Sequence, residues 1–177
     1  MAKNSMKQIE KDENKILKEL SNNANKSVNE IAKKCGFSRQ KVWRVIKKLE
    51  SEKTIWGYVA VTDEEKLGKK EFIVLIKRTN LPLDKKIVDK IIQRELDKES
   101  QKTEIEIMTS IYVNGLYDWI VCFCAPDIKE AKKFCENLNK TFEGHIAELH
   151  LLEKMFAAKK CGIENPDIDG LNEFFNL

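Results

Sequence analysis

SVNEIAKKCGFSRQKVWRVIKKLE, residues 27–50, is the stretch that decides the fold. Ser27 followed three residues later by Glu30 is the pattern of a capping box, in which each side chain satisfies an amide left free at a helix start. Val28, Ile31 and Ala32 then fall about one turn apart, so a short helix begins here and buries one face. Cys35-Gly36 ends it, because glycine takes the left-handed conformation that stops a helix. Ser38 supplies the next N-cap. A further helix runs from Arg39 to about Glu52, with Val42, Val45, Ile46 and Leu49 as its apolar stripe. Two short helices joined by a tight glycine-containing turn, the second longer and basic, make a helix-turn-helix.

The charge pattern agrees with that reading. Residues 33–48 hold seven basic side chains (Lys33, Lys34, Arg39, Lys41, Arg44, Lys47 and Lys48) and no acidic one. Cap, turn and charge coincide, which a merely solvated helix face does not require. The N-terminal half of the basic helix is expected to enter the major groove of double-stranded DNA. Arg39, Gln40, Lys41 and Arg44 would reach base edges or phosphates there, with Lys47 and Lys48 completing the basic set. Arginine suits guanine O6/N7 and glutamine suits adenine N6/N7. Ser38 is placed to contact phosphate through its hydroxyl and the helix amides. Trp43, beside the stripe, reads as a core-edge packing residue rather than a DNA wedge.

Working outward, Ile16, Leu17 and Leu20 put a first helix over about Glu10–Ser21, and the polar SNNANK that follows is a loop. On the other side TIWGYVAVT, residues 54–62, is rich in β-formers and is expected to be a strand at the wing edge. Asp63 to Lys70 is polar, contains Gly68 and marks a domain boundary.

Beyond it, strand and helix alternate. KEFIVLIKRT (70–79) is a strand, and Asp84 caps a helix over about 85–97 with Ile87, Val88, Ile91, Ile92 and Leu96 inward. EIEIMTSIYV (104–113) places Ile105, Ile107, Ile111 and Val113 on one face. Asn114-Gly115 is a strong hairpin signal, returning into LYDWIVCFCA (116–125). Asp127 with Glu130 opens a helix to about Phe142, with Ile128, Ala131, Phe134 and Leu138 inward. HIAELHLLEKMFA (145–157) is the last strand. The order βαββαβ is that of a ferredoxin-like antiparallel sheet with helices on one face, so the fold class is α+β.

Such a sheet usually has one wet face. Here Trp119, Val121 and Phe123 share one face, while Ile120, Cys122 and Cys124 make the other apolar too. An exposed patch of that kind asks for a cover. A second copy of the same sheet, making a homodimer, is the economical one.

Composition narrows the rest. The 177 residues carry 32 Lys+Arg against 29 Asp+Glu, a net +3 that is small for a nucleic-acid binder. It is unevenly spread: residues 1–66 hold 15 basic and 10 acidic groups, the remainder 17 and 19. A basic module thus precedes a slightly acidic one. The expected division is a DNA-binding domain over 1–66, a ferredoxin-like dimerisation domain over 67–160, to which the resemblance described below adds an effector role, and a tail over 161–177. No apolar run approaches the ~18 residues of a transmembrane helix, and MAKNSMKQIEKDENK lacks a signal-peptide core. The five cysteines are an odd number without scaffold-like spacing, and read as reduced cytosolic thiols. A cytoplasmic protein is expected.

ILKEL…SVNEIAKKCGFSRQKVWRVIKKLESEKTIWGYVAV, followed by the βαββαβ module with NGLYDWIV, resembles the Lrp/AsnC (feast/famine) transcription regulators. The likeness runs from about Glu10 to Lys160. Its most specific pieces are Leu49, Glu50, Ile55, Gly57 and Tyr58, and the hairpin residues Gly115, Tyr117 and Asp118. The resemblance implies dimers through the second module's sheet, assembled in many members into tetramers or octamers, and an amino acid or related effector bound by that module. Gly115 and Asp118 match hairpin positions lining the family's effector site. Asp118 would accept from a ligand ammonium, or bond local amides as a hairpin-end residue. The chain departs from the pattern with Val45 in place of Arg, Lys53 in place of Gly, Leu116 after the hairpin glycine, and Gly144-His145 in place of Gly-Val.

Other chemistry is sparse. His145 and His150 are the only histidines, and their offset puts them on opposite strand faces, where they cannot share a metal. They read as surface or interface residues. Cys122 and Cys124 share a face as packed thiols rather than redox sensors. No phosphate loop, nucleophile elbow or paired-histidine helix occurs, so no catalytic residue, metal or cofactor is assigned and an enzyme is not expected. Two rivals remain. One is an enzyme resembling the siroheme decarboxylases, which needs a basic, histidine-bearing tetrapyrrole pocket; the other is a non-specific chromatin-like DNA organiser. Residues 162–177 hold four acidic groups and no basic one. There Ile168, Leu171, Phe174 and Phe175 fit a short C-terminal helix, with a frayed tail as the alternative.

Overall fold

The computed structural model describes residues 2–175. It divides into two compact units. One is formed by the chain up to Val61 together with the segment from Ala158 onward; the other is Thr62–Ala157. The first break falls a few residues before the Lys66 expected from sequence, because Thr62 and Glu64 already bond within the 3-10 turn Glu65–Leu67 that leads into the sheet.

In the first unit three helices, α1 (Ala2–Asn22), α2 (Val28–Cys35) and α3 (Arg39–Ser51), enclose a small core of Ile16, Leu20, Ile31, Ala32 and Val42. α1 starts well before Glu10, since nothing in AKNSMKQIE breaks a helix. The capping box is present: Ser27 Oγ accepts from the Glu30 amide at 3.2 Å, and Glu30 Oε2 accepts from the Ser27 amide at 2.8 Å. Gly36, at φ 70°, ends α2 with the Phe37 amide bonded back to the Ala32 carbonyl at 2.9 Å. α3 ends by the same device with a different residue. The Thr54 amide reaches the Leu49 carbonyl at 2.9 Å and the Lys53 amide the Glu50 carbonyl at 3.1 Å, with Lys53 itself at φ 58°. Lysine thus holds a left-handed position that favours glycine, at a cost of roughly 1–2 kcal/mol. Lys53→Gly is expected to raise the urea midpoint by removing that cost, less the extra freedom glycine brings to the unfolded chain. A lowered midpoint would show that the lysine side chain contributes more than its backbone costs.

The strand expected over 54–62 does not form: 56–63 is not assigned to any strand, and Trp56 is 95% exposed. β-formers supply the tendency, but a strand exists only where a ladder of backbone bonds to a neighbouring strand forms, and among the described residues no such ladder includes this segment.

The second unit is a sheet in the order β2-β3-β1-β4 with every neighbouring pair antiparallel. Its strands are β1 (Lys70–Arg78), β2 (Glu106–Tyr112), β3 (Trp119–Ala125) and β4 (Ile146–Glu153). One face carries Phe72, Val74 and Ile76 of β1 with Trp119, Val121 and Phe123 of β3, packed under α4 (Lys85–Ile92), α5 (Glu95–Ser100) and α6 (Ile128–Thr141). This is the ferredoxin-like arrangement. Asp84 and Asp127 cap α4 and α6, each accepting the amide three residues on at 2.9 Å. Glu130 pairs with Lys133, so the second capping box stays half formed, and Ile128 is exposed rather than inward.

Two departures have a common cause, the fit of local segments to one sheet. The single helix expected over 85–97 is two, broken at Arg94, which sits at φ 53°. A straight helix carrying Ile87 and Ile91 inward would next present Arg94, Glu95 and Lys98 to the sheet. The break turns Leu96 in instead and leaves Ile92 71% exposed. In β2 the register shifts between Ile107 and Thr109, a bulge that changes the parity of the side chains. Ile107 therefore packs on the core while Ile111 lies on the helix-free face opposite Ile120. The hairpin is also wider than Asn114-Gly115 suggests. Val113 and Asp118 close it by a backbone bond of 2.9 Å, and Gly115 has no positive φ.

The helix-free face gathers Ile73, Leu75, Ile111, Ile120, Cys122 and Leu152, as the strand registers require. Cys122 is half-buried and Cys124, beside Glu71 in register, is buried. The last strand ends at Glu153 rather than reaching Ala157. Lys159–Lys160 and Ile163–Glu164 form a small hairpin, β5 and β6, around Cys161-Gly162, both at positive φ as a two-residue hairpin turn demands. It straddles the 160/161 border expected from sequence. The final helix, α7 (Ile168–Phe175), forms where apolar spacing placed it; the side chains of Ile168 and Leu171 lie outside the described set.

Candidate nucleic-acid interface and effector cleft

The turn between α2 and α3 sets the interface. Ser38 Oγ accepts from the Lys41 amide at 3.2 Å, which leaves its hydroxyl hydrogen free to donate outward. α3 buries Val42 and Leu49, so Arg39, Gln40, Trp43 and Arg44 stand on its solvent side, and all four are exposed. Arg39 and Arg44 have no ion-pair partner among the described residues.

The basic set is not uniform. Lys41 turns back to α1: its Nζ is 2.5 Å from Asp12 Oδ2 and 4.0 Å from the Phe37 ring centre. Lys48 Nζ is 2.6 Å from Glu13, and Lys47 pairs with Glu50 at 2.7 Å. Lys34 is 3.6 Å from Glu19. Lys41 and Lys48 thus serve partly as struts between α3 and α1, a role their spacing along α3 does not reveal. The hydrogen bond from Lys41 holds the Asp12 carboxyl below its ordinary value, against the opposing effect of burial. Stability from this pair is therefore present above the unfolded value of about 3.9. It is lost as pH falls through the lower folded one. Asp12→Asn is expected to flatten the acid limb of a Tm-against-pH curve below about pH 4; an unchanged limb would place the acid sensitivity elsewhere.

The second unit carries a cleft of about 180 Å³ beneath α4, at the end of the sheet where the hairpin returns. Its walls are apolar, from Ile76, Leu83, Ile87, Trp119 and Phe142 among others; Arg78, Asp118 and His145 also line it. Asp118 Oδ2 accepts from the Arg78 amide at 2.8 Å, and the Asp118 amide donates to the Ile76 carbonyl at 2.9 Å. Asp118 is thus both a local amide partner and a cleft residue. Arg78 Nε and His145 Nδ1 are buried there with no hydrogen-bond partner among the described residues. Unpaired buried polar atoms of this kind are costly and therefore informative.

Comparison with known proteins places these features. Residues 13–55 match the family model for winged helix-turn-helix DNA-binding. The chain is 32% identical over 150 residues to PH0061 of Pyrococcus horikoshii, described as an uncharacterised HTH-type transcriptional regulator, covering 84% of this chain and 91% of that one. The crystal structure of PH0061 superposes with a TM-score of 0.66 at 23% identity, over 84% of this chain and 94% of that one. An AsnC family transcriptional regulator from Agrobacterium tumefaciens gives 0.61 at 23% identity, over 84% and 92%. A feast or famine regulatory protein from M. tuberculosis, complexed with L-methionine, gives 0.63 at 18% identity, over 83% and 92%.

The chain belongs to the Lrp/AsnC family. It is a DNA-binding transcription regulator with the family's α+β architecture. Within this Lrp/AsnC regulator the structure brings Ser38, Arg39, Gln40 and Arg44 together on one exposed surface and draws Lys41 and Lys48 toward α1. Asp118 lines the cleft; Gly115 does not, and a Cβ there would meet nothing within 4 Å. Arg78 and His145 are cleft residues the sequence does not single out as such. His145 is half-buried rather than a surface residue. Its replacement of the family's valine is the one sequence signal that pointed at the position. His150 lies across the sheet, 3.2 Å from Glu148 and edge-on to Tyr117.

Proposed function

We propose that this regulator reads a specific pseudo-palindromic site on double-stranded DNA as a homodimer, and that an amino acid bound in the second unit modulates it. The observation that carries the DNA reading is the exposed face of α3, where Arg39, Gln40 and Arg44 point outward from a helix fixed by its N-cap and by the α1 ion pairs. These three would contact base edges and phosphates, with Ser38, Lys41, Lys47 and Lys48 supporting through phosphate contacts. The apolar helix-free face, which a second copy would cover, supports dimerisation, and further assembly to tetramers or octamers would build on that pair. The protein acts by binding in the cytoplasm, without catalysis and without a cofactor.

The effector reading rests on the cleft. Arg78 Nε and His145 Nδ1 supply donors for a carboxylate, Asp118 a site for an ammonium, and the apolar walls hold a side chain. A volume of about 180 Å³ lies below the roughly 300–1,000 Å³ of drug-sized ligand sites. That favours an amino acid and disfavours a tetrapyrrole, hence the enzyme rival. Selection of bound genomic fragments, followed by melting with each amino acid, tests both parts. A sharp consensus and a Tm rise with at least one apolar amino acid are expected, worth ~2.7 kcal/mol at a hundredfold excess over Kd. Equal affinity for random DNA would instead support the chromatin-like rival. A flat thermal screen would indicate a ligand-independent regulator.

A further inference from the structure

α3 presents a large apolar side chain to water in the middle of its basic face. Trp43 is 55% exposed and stands outside the helical core, so it is not the core-edge packing residue its place beside the stripe suggests. Arg39 lies one turn before it and Lys47 one turn after, with Gln40 and Arg44 alongside. Helical spacing puts Gln40, Arg44 and Lys47 on the side away from Val42 and Leu49, with Arg39 and Trp43 at the edge of that face beside Ile46, and all five are exposed. Lys41 and Lys48 fall on the flank and are drawn to α1. Few groups are left to face a groove, and Trp43 sits among them.

We propose that Trp43 is a specificity-determining residue of the DNA reader, its indole lying against the C5-methyl of a thymine in the major groove. This rests on α3 being the reading helix and adds an apolar readout to it. The thymine methyl is the apolar group that base edges display in the major groove. Burying it under an indole removes apolar surface from both partners. Against a G·C pair the same ring covers the cytosine N4 donor or guanine O6 acceptor without pairing it, which is penalised. Wedges that unstack bases act from the minor groove. A tryptophan on a helix in the major groove meets base edges instead, so edge contact rather than intercalation is assigned. Arg39 and Arg44 on either side hold the helix in register through bases or phosphates.

The test uses the full-length protein and a duplex selected by it from a random library. Each thymine is replaced singly by uracil, which removes only the methyl group. The wild-type protein should lose about three- to tenfold in affinity at one thymine per half-site. Trp43→Ala should bind the thymine and uracil duplexes equally, and its selected consensus should relax at that base pair. Trp43→Phe should keep part of the discrimination. Insensitivity of the wild-type protein to every thymine-to-uracil change overturns the proposal, and needs no variant to fold. So does a Trp43→Ala protein that keeps the wild-type pattern. Arg39→Ala and Arg44→Ala, measured alongside, separate the two levels. If neither weakens binding, α3 is not the reading helix. If both do and the Trp43 pattern is absent, the apolar readout alone falls.

Discussion

Arg39→Ala combined with Arg44→Ala is expected to abolish site-specific DNA binding while leaving the fold intact. Both side chains are exposed and carry no ion pair among the described residues, so their removal costs the protein alone little. A bidentate arginine–guanine pair is worth about 1–3 kcal/mol, and a dimer presents each arginine twice. Affinity should therefore fall by more than about a hundredfold at the selected site. If either arginine meets phosphate instead, its single substitution should weaken all sequences alike. The slope of log K against log salt would then fall by about 0.9 for each phosphate no longer neutralised. Lys41→Ala should behave differently. It leaves Asp12 without its cation, so it should lower thermal stability more than it lowers affinity. Mobility-shift titrations at several salt concentrations, with melting curves for each variant, check all three. Undiminished specific binding by the double variant would exclude α3 as the reading helix.

Leu75→Glu with Ile120→Glu is expected to convert the protein to a monomer and to reduce DNA affinity to that of one half-site. Leu75 lies on β1 opposite Ile120 of β3, at the centre of the helix-free face. Both are half-buried in the single chain, so each gains further burial only from a covering partner. Two-fold packing of this face on itself would bring the four introduced carboxylates together in a low-dielectric interface, where like charges repel strongly. Neither substitution touches the opposite face, where Phe72, Val74, Ile76, Val121 and Phe123 hold the helices. The far-ultraviolet spectrum should therefore persist while sedimentation reports the monomer mass. A dimer that survives both changes would place the interface elsewhere.

The legibility of each element followed from how local its cause is. Ser27, Glu30, Gly36 and Ser38 act within a few residues of themselves, and the helix-turn-helix they punctuate formed as its spacing indicates. The βαββαβ order was legible for the same reason, from period and caps. The break at Arg94 and the bulge near Met108 were not. Each is a local concession to the shape of the whole sheet, needed to bring Leu96 and Ile107 onto one core. The 56–63 segment is the converse case, β-rich residues that join no strand ladder among the described residues.

The candidate sites divide along the same line. Which residues of α3 are cationic is written in the sequence. Which of them face outward was decided by α1, because Asp12 and Glu13 meet Lys41 and Lys48 only after the helices pack. Arg78, Asp118 and His145 are far apart in the chain, and share a cleft only because β1 lies between β3 and β4. By itself the sequence determined the two modules, the basic second helix of the helix-turn-helix and the apolar second face of the sheet, since periodicity, caps and charge are properties of neighbouring residues. Only the tertiary structure decided that Trp43 is exposed, that two lysines are struts, and that two buried nitrogens without a partner among the described residues line one cleft. Burial and pairing are properties of residues that the chain brings together from a distance.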